Sequence, residues 1–533
     1  MGVKTVAIIG SGVSGLVSLK QCLEEGLEPV CFERESSFGG VWIFHDEPVK
    51  THNRGSLYHC LVLNSSKNMT NFSDFPYQKA SSPYIQGKEF INYIKAYVDH
   101  FDLERHIRYS TDVKRVEKAT DYDITGRWTI TSACNGGEVK QETFDAVMVC
   151  TGLYSDRNMV EYPGQEEFTG EIMHSNEYKK ADGLANGKNV LVVGGSHSAG
   201  DCAVDTSRVS KKTYLSMRKG TWVVQRMGPD GMPRDMAVNR RINFFIPEWL
   251  RRKKVVDHIY SRVNMDNLGL KSVNKMFCSE VMVNDDIGSR ILCGAVVCKT
   301  GIDHFTERGV VFTDGTSVDD LDLVVYATGY QLRAPIVDND IISDGMKDLE
   351  LYLYIFPPRL KHQPFAAVGF VETIGAHAPV FEMQARYATR VFKGCASIPP
   401  QEVMFADIKR RKNFMQNRFG KPKNFFPSIP YQEMLADRIG AKPKFWSMVL
   451  TDPVLAYRTF LGPALPYTFR LVGPHAWSGA RDAIMDVWNN TFYATKTRMV
   501  PKSAGGLGSL DFGVLKFLVV VLVALTFFLS ILC

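Results

Sequence analysis

Two glycine-rich turns give this 533-residue chain its first chemistry. The earlier turn is Gly10-Ser11-Gly12-Val13-Ser14-Gly15, placed after the apolar run Val6 to Ile9 and before the helix-like "LVSLKQCLEEG". At this spacing Gly10 permits a tight turn, Gly12 lets the backbone approach a pyrophosphate, and Gly15 allows close helix packing. Phosphate oxygens then meet the free N–H groups of the helix start. A second strand, "PVCFER", ends at Glu33, 23 positions beyond Gly10, where a carboxylate can accept hydrogen bonds from ribose hydroxyls. Strand, turn, helix, strand and acid in this order point to a dinucleotide. Gly39-Gly40-Val41-Trp42 follows directly. A second close backbone approach is superfluous for a nicotinamide cofactor and suits the extended flavin moiety of FAD.

The later turn, "VLVVGGSHSAGD", carries Gly194, Ser196 and Ala199 at the three glycine positions, with Ser198, Gly200 and Asp201 around the helix start. Read alone it is degenerate, but a strand "NVLVVGG" precedes it and a helix-like "SAGDCAVDTSRV" follows. The next strand, "KTYLSMRKG", ends in Ser216, Arg218 and Lys219 instead of an acid. A cationic end suits a 2′-phosphate and favours NADPH over NADH, the plain alternative being a solvated basic strand end. "DAVMVCTG" (145–152) and "DLVVYATGY" (322–330) are apolar strands that each stop on Thr-Gly. The elements that must position the turns are therefore those of an α/β chain with two nested Rossmann-like dinucleotide-binding domains that share crossing points.

Between the turns lies "FTGEIMHSNEYKK", Phe168 to Lys180, with one histidine, one tyrosine and no metal-ligand spacing. It matches F-x-G-x-x-x-H-x-x-x-Y at Phe168, Gly170, His174 and Tyr178, the identifying pattern of the flavin-containing monooxygenases. The chain resembles the animal microsomal members of that family, the dimethylaniline, N-oxide-forming type. The likeness extends over "NSSKNMTNFSDFP" (64–76), "ATGY", "IFPPRL", "GPHAWSGARDAI" and the hydrophobic tail. The resemblance implies FAD and NADPH as cofactors and O₂ as co-substrate. It implies a flavin hydroperoxide that oxygenates soft nucleophiles, namely lipophilic amines and sulfides. It places Asn64 beside both flavin and nicotinamide as the catalytic side chain, with Leu63 and Ser65 as neighbours at the cofactors. It also implies that the 168–178 stretch braces the two cofactor domains, with His174 a satisfied histidine and not a reacting one. Two alternatives stay open: Baeyer–Villiger oxygenation of ketones, whose enzymes typically end the stretch in Trp where this chain has Tyr178, and an NADPH oxidase that releases hydrogen peroxide. No C-x-x-C is present, so a disulfide reductase with two dinucleotide domains does not fit.

Composition agrees with a large globular chain, 45% hydrophobic and 23% charged. Eleven scattered cysteines read as reduced thiols facing the cytosol, and no zinc or other metal site is expected. A net charge of +6 over this length lends nucleic-acid binding little support. Asn64, Asn68, Asn71 and Asn489 lie in glycosylation sequons that are silent in the cytosol. Phe517 to Cys533 is free of charge and, at about 1.5 Å per residue, long enough for a short membrane span. A tail anchor over 512–533 in the endoplasmic reticulum membrane is the expectation. The FAD domain is expected at 1–153 and 331–445, with the NADPH domain at 154–330. Within the latter, 221–290 carries "RRINFFIPEWLRRKKVV", whose Arg240, Arg241, Arg251, Arg252, Lys253 and Lys254 flank Phe244, Phe245, Ile246 and Trp249. Basic residues mixed with aromatics suit a membrane surface, the plain alternative being a solvated charged helix. Residues 446–511 read as a substrate-route region and linker. Whether the chain forms a homodimer is left open.

Overall fold

The computed structural model describes residues 2–48, 53–279, 281–343, 349–420 and 424–498. The expected tail at 512–533 and its linker lie outside the described residues. Among those that are described, no helix is long and apolar enough to cross a membrane.

Two five-stranded parallel sheets organise the molecule. The first uses β1 (Thr5–Ile9), β2 (Glu28–Phe32), β3 (Ile107–Arg108), β4 (Ala146–Val149) and, from far downstream, β10 (Phe365–Ala367), in the order β10-β4-β1-β2-β3. The second uses β5 (Glu171–His174), β6 (Asn189–Val193), β7 (Lys212–Ser216), β8 (Val296–Lys299) and β9 (Leu323–Tyr326), in the order β8-β7-β6-β9-β5. The central strands are continuous apolar runs because helices cover both faces of a parallel sheet. Val6, Ala7 and Ile8 of β1 and Val190 and Val192 of β6 are wholly buried.

In both sheets the chain leaves the central strand in one direction and returns on its other side, to β4 beside β1 and to β9 beside β6. A crevice opens at such a reversal, at the carboxyl ends of the strands, and ligands of open α/β sheets bind there. Each glycine turn sits at one of these points. The Thr-Gly endings 151–152 and 328–329 occupy the neighbouring strand ends, as the sequence suggested. The return of β10 to the first sheet explains why it is interrupted in sequence.

A third apolar cluster belongs to the C-terminal region and includes Met448, Val449, Leu455, Leu465 and Tyr467, joined by Met69 and Met236. Here the structure corrects one expectation for the basic-aromatic segment. Arg241 does not face a surface: it is buried, pairs with Glu433 at 2.6 Å and lies over the Phe469 ring. Arg251 stacks on Phe244 and Phe277, and Arg252 and Lys253 pair within their own helix, Glu248–Tyr260, with Glu248 and Asp257. Phe245 and Trp249 do stand out, 83% and 69% exposed.

Candidate functional site

The first turn connects β1 to α1 (Val13–Glu24), and its shape is dictated by the absence of side chains. Gly10 has φ +99°, and a Cβ there would lie 2.9 Å from the Cys150 carbonyl oxygen. A Cβ on Gly15 would lie 1.8 Å from the Gly10 oxygen. Across from the turn, Gly40 (φ +60°) opens the short 3-10 turn Gly40–Trp42, and a Cβ on it would come 3.1 Å from the Gly12 Cα. No side chain caps the start of α1. The two backbones thus meet directly, with the Gly39 N–H donating to the Ser11 carbonyl at 3.0 Å, and the uncapped start of α1 leaves helix N–H groups that fit the diphosphate of FAD. Ser14 donates its hydroxyl to the Cys150 carbonyl, and the Trp42 ring packs on Phe90, so both are held from behind. Val41 lies between Gly40 and Trp42 in the same turn.

Glu33 is buried at the end of β2. Its Oε2 accepts from the Ser11 backbone N–H at 2.7 Å and from the Ser11 hydroxyl at 2.8 Å, and its Oε1 from the Glu35 N–H at 3.0 Å. The carboxylate therefore shapes the glycine turn itself, beyond the ribose contact that spacing alone had suggested.

The second turn repeats the construction. Gly194 (φ +147°) would place a Cβ 2.4 Å from the Ala327 oxygen and 3.2 Å from the Ala199 Cβ, so the small residue at 199 serves where a glycine was expected. Helix α2 (His197–Thr206) starts after Ser196 without a side-chain cap, and Ser198 is in its first turn. Gly200 meets Met282, whose side chain a Cβ would reach at 2.7 Å. Asp201 accepts from the Tyr58 hydroxyl at 2.8 Å and from Asn284 Nδ2 at 3.0 Å, and burial pushes its carboxyl up to about 6 despite those donors. Ser216, at the end of β7, is buried and donates to the Thr300 carbonyl at 2.7 Å. Arg218 and Lys219, just beyond, are exposed, and no ion pair of theirs is seen among the described residues. They suit the 2′-phosphate of NADPH, and the glycine turn fits its diphosphate.

Asn64 lies exposed between these turns in sequence and is held from one side. Arg226 donates to Asn64 Oδ1 at 3.0 Å, to the Val62 carbonyl at 2.9 Å and to the Leu63 carbonyl at 3.1 Å, and it pairs with Asp285 at 3.1 Å. Leu63 is buried below it. Beyond Ser65, Ser66 donates through both its N–H and its hydroxyl to Asp235, which also receives Tyr84. With Oδ1 occupied by a cation, the amide presents Nδ2 as its free donor among the described residues. Arg226 and Asp235 escaped the sequence reading. They sit in 221–290, which has no fingerprint, and nothing in "TWVVQRMGPDGMPRD" announces contacts with a segment 162 to 169 positions away.

The motif between the turns explains itself in contacts. His174 is fully buried. Its Nδ1 takes the Asn176 backbone N–H at 3.2 Å, and its Nε2 lies 3.1 Å from the Gly329 carbonyl. Nδ1 also lies 3.1 Å from the Asn176 Oδ1, so the ring bridges Asn176 and the Thr-Gly end of β9 through its two nitrogens. Burial lowers its pKa, so it stays neutral. Tyr178 donates to Asp205 of α2, and Lys179 donates to the Ser56 hydroxyl and the Leu57 carbonyl. The segment clamps the second sheet's switch point, its first helix and the irregular stretch leading to Asn64.

With this geometry in hand, similarity decides the rest: the flavin-binding monooxygenase-like family matches residues 3–531. The chain belongs to that family. This flavin monooxygenase is 38% identical over 534 residues to dimethylaniline monooxygenase [N-oxide-forming] 2 of Macaca mulatta, covering 98% of both chains. It is 39% identical over 536 residues to flavin-containing monooxygenase 1 of Oryctolagus cuniculus, covering 97% of this chain and 98% of that one. Its fold is shared with the S-allyl-L-cysteine S-oxygenase of Allium sativum (TM-score 0.63, 23% identity, 91% of this chain and 100% of that one). It is shared also with cyclohexanone monooxygenase of Rhodococcus sp. Phi1 bound to NADP⁺ (TM-score 0.58, 17% identity, 82% and 98%). The chain is an FAD-dependent monooxygenase that uses NADPH and O₂.

Proposed function

We propose that this enzyme oxygenates soft, lipophilic nucleophiles at nitrogen or sulfur. FAD would be held by Gly10, Ser11, Gly12, Val13, Ser14, Gly15, Glu33, Gly40, Val41, Trp42, Asn64 and Ser65. NADPH would be held by Leu63, Asn64, Gly194, Ser196, Ser198, Ala199, Gly200, Asp201, Ser216, Arg218 and Lys219. When bound, FAD supplies two-electron reduction by NADPH and the activation of O₂. The protein's own part is orientation and the exclusion of water.

The observation that carries this reading is the Arg226–Asn64 contact. A guanidinium on Oδ1 fixes the amide's orientation and draws electron density toward the oxygen, which strengthens the Nδ2–H donor on the opposite side. A neutral donor can stabilise a developing negative charge without delivering a proton, and that suits a site whose oxidant must last until a substrate arrives. Relatives named as N-oxide-forming support nitrogen over ketones as a target.

The same reading assigns 1–153 and 331–445 to the flavin unit, 154–330 to the nicotinamide unit and 446–511 to a substrate route. It assigns 512–533 to an anchor in the endoplasmic reticulum membrane, with the catalytic units on the cytosolic side. Phe245 and Trp249 would add a second membrane contact. The testing experiment supplies the FAD-loaded enzyme with NADPH, air and either an alkyl aryl sulfide, a tertiary amine or a cyclic ketone. Sulfoxide and N-oxide formation in excess of lactone supports the proposal, and lactone as the main product overturns it.

A further inference from the structure

We propose that Arg470, far from both glycine turns in sequence, is a positioning residue for the flavin cradle: its guanidinium fastens the C-terminal region to the three elements that keep that cradle in shape. The proposal rests on the reading that Gly10 to Gly15 receives FAD.

Arg470 is 0% exposed. It reaches Glu24 at 3.0 Å, Asp74 at 2.8 Å and Glu382 at 3.3 Å, and donates to the Ser73 hydroxyl at 2.8 Å and the His475 carbonyl at 2.9 Å. Lys20 completes the cluster on Asp74 at 2.6 Å and Glu24 at 2.8 Å. The buried Arg386 lies in the same electrostatic neighbourhood and donates to the Phe469 and Pro474 carbonyls. Lys20, Arg386 and Arg470 thus balance Glu24, Asp74 and Glu382, three charges against three.

Each acid belongs to an element that leads back to the cradle. Glu24 ends α1, the helix whose start is the Gly10–Gly15 turn. Asp74 closes the stretch that begins at Asn64, and the adjacent Ser73 donates its N–H to Glu382 at 2.7 Å. Glu382 lies on α3 (Ala378–Phe392), whose Gln384 accepts the Gly369 N–H at 2.9 Å. Gly369 in turn abuts the turn itself, since a Cβ on it would lie 3.0 Å from the Ser14 Cβ. Burial raises the Asp74 carboxyl, but Arg470 and Lys20 pull it back below its ordinary value. Removing one partner from such a cluster leaves a buried charge without compensation, whereas removing an opposite pair restores neutrality. With Arg470 gone, two cations face three carboxylates. The least costly relief is movement of α1, and that carries the phosphate turn with it.

The test is the FAD dissociation constant of full-length variants, read by quenching of flavin fluorescence, with NADP⁺ affinity measured in parallel. Arg470→Met is expected to weaken FAD binding about tenfold or more. Arg470→Lys, which keeps the charge and loses the fork, should fall between it and the wild type. The neutral double variant Arg470→Met with Glu24→Gln should recover most of the loss, and NADP⁺ affinity should stay unchanged throughout. If Arg470→Met does not accumulate as soluble protein, the lysine and double variants carry the comparison. Wild-type FAD affinity in the lysine and methionine variants, or no recovery in the double, overturns the proposal. Gly12→Val separates the two claims: if it too leaves FAD binding intact, the cradle assignment itself fails, and if it alone abolishes binding, only the role of Arg470 fails.

Discussion

The guanidinium of Arg226 lies 3.0 Å from the side-chain oxygen of Asn64, and the same guanidinium grips the two carbonyls that precede it. Arg226 comes from the stretch after β7 and Asn64 from the stretch after β2, so each sheet's chain contributes one half of the contact. That relation sets the first expectation. Asn64→Asp keeps an oxygen for Arg226 and replaces the N–H donor by a second, negatively charged acceptor oxygen. It should still bind FAD and consume NADPH while releasing hydrogen peroxide in place of product. A lost contact of this kind costs about 1–3 kcal/mol, on the order of a tenfold to hundredfold rise in peroxide per product. Arg226→Met should move the ratio in the same direction. Unchanged coupling in both variants would make the pair structural.

Arg218 stands exposed beyond Ser216, free of an acid among the described residues, as a group awaiting a 2′-phosphate would. Arg218→Ala should raise the NADPH KM roughly tenfold or more and leave the NADH KM near its starting value. Steady-state kinetics with both cofactors decide it, and equal effects would remove Arg218 from the site.

Asp201 makes stability depend on pH. Its buried carboxyl titrates near 6, above the ordinary 3.8, so the folded chain holds a proton that the unfolded chain has released. The protonated carboxyl contributes fully below about pH 4, and the contribution is lost as pH rises through 6, a change on the order of 3 kcal/mol. Asp201→Asn should flatten the stability curve between pH 4 and 6 in urea titrations. A wild-type minus Asp201→Asn difference that stays constant over this window would contradict the assignment.

His174→Ala should lower stability by about 2 kcal/mol through the lost Gly329 and Asn176 contacts. Product formed per NADPH consumed should stay at the wild-type value, because the imidazole is neutral, buried and spent on Asn176 and the Gly329 carbonyl. A strong fall in that ratio with unchanged thermal stability would show a direct role.

Membrane attachment should survive partly when 512–533 are deleted, and the remainder should depend on Phe245 and Trp249 more than on arginines already paired inside the fold. Co-sedimentation with anionic vesicles checks this: adding Phe245→Ser and Trp249→Ser to the deletion should release the chain. Complete release by the deletion alone would leave the tail as the sole contact.

The parts of the site that repeat a local grammar were legible in the sequence. Glycine turns, an acid at a strand end and Thr-Gly strand endings are short-range signals, because a turn that admits a phosphate forbids side chains at fixed spacings. Ser196 and Ala199 obscured the second turn only slightly, since small residues satisfy the same steric limit that Gly194 shows against Ala327. What could not be read were partners joined by tertiary contact alone. Arg226 on Asn64, Asp235 on Ser66 and Arg470 among three acids have no spacing to betray them. Arg241 shows the converse: a basic residue in an aromatic run looks like a surface group until Glu433, far along the chain, is folded against it.

The most direct measurement of the central claim uses purified, FAD-loaded enzyme with NADPH and methyl phenyl sulfide under ¹⁸O₂. The expected result is sulfoxide carrying one ¹⁸O, formed in near equivalence to the NADPH consumed. Complete recovery of the electrons as hydrogen peroxide, or sulfoxide without label, would contradict it.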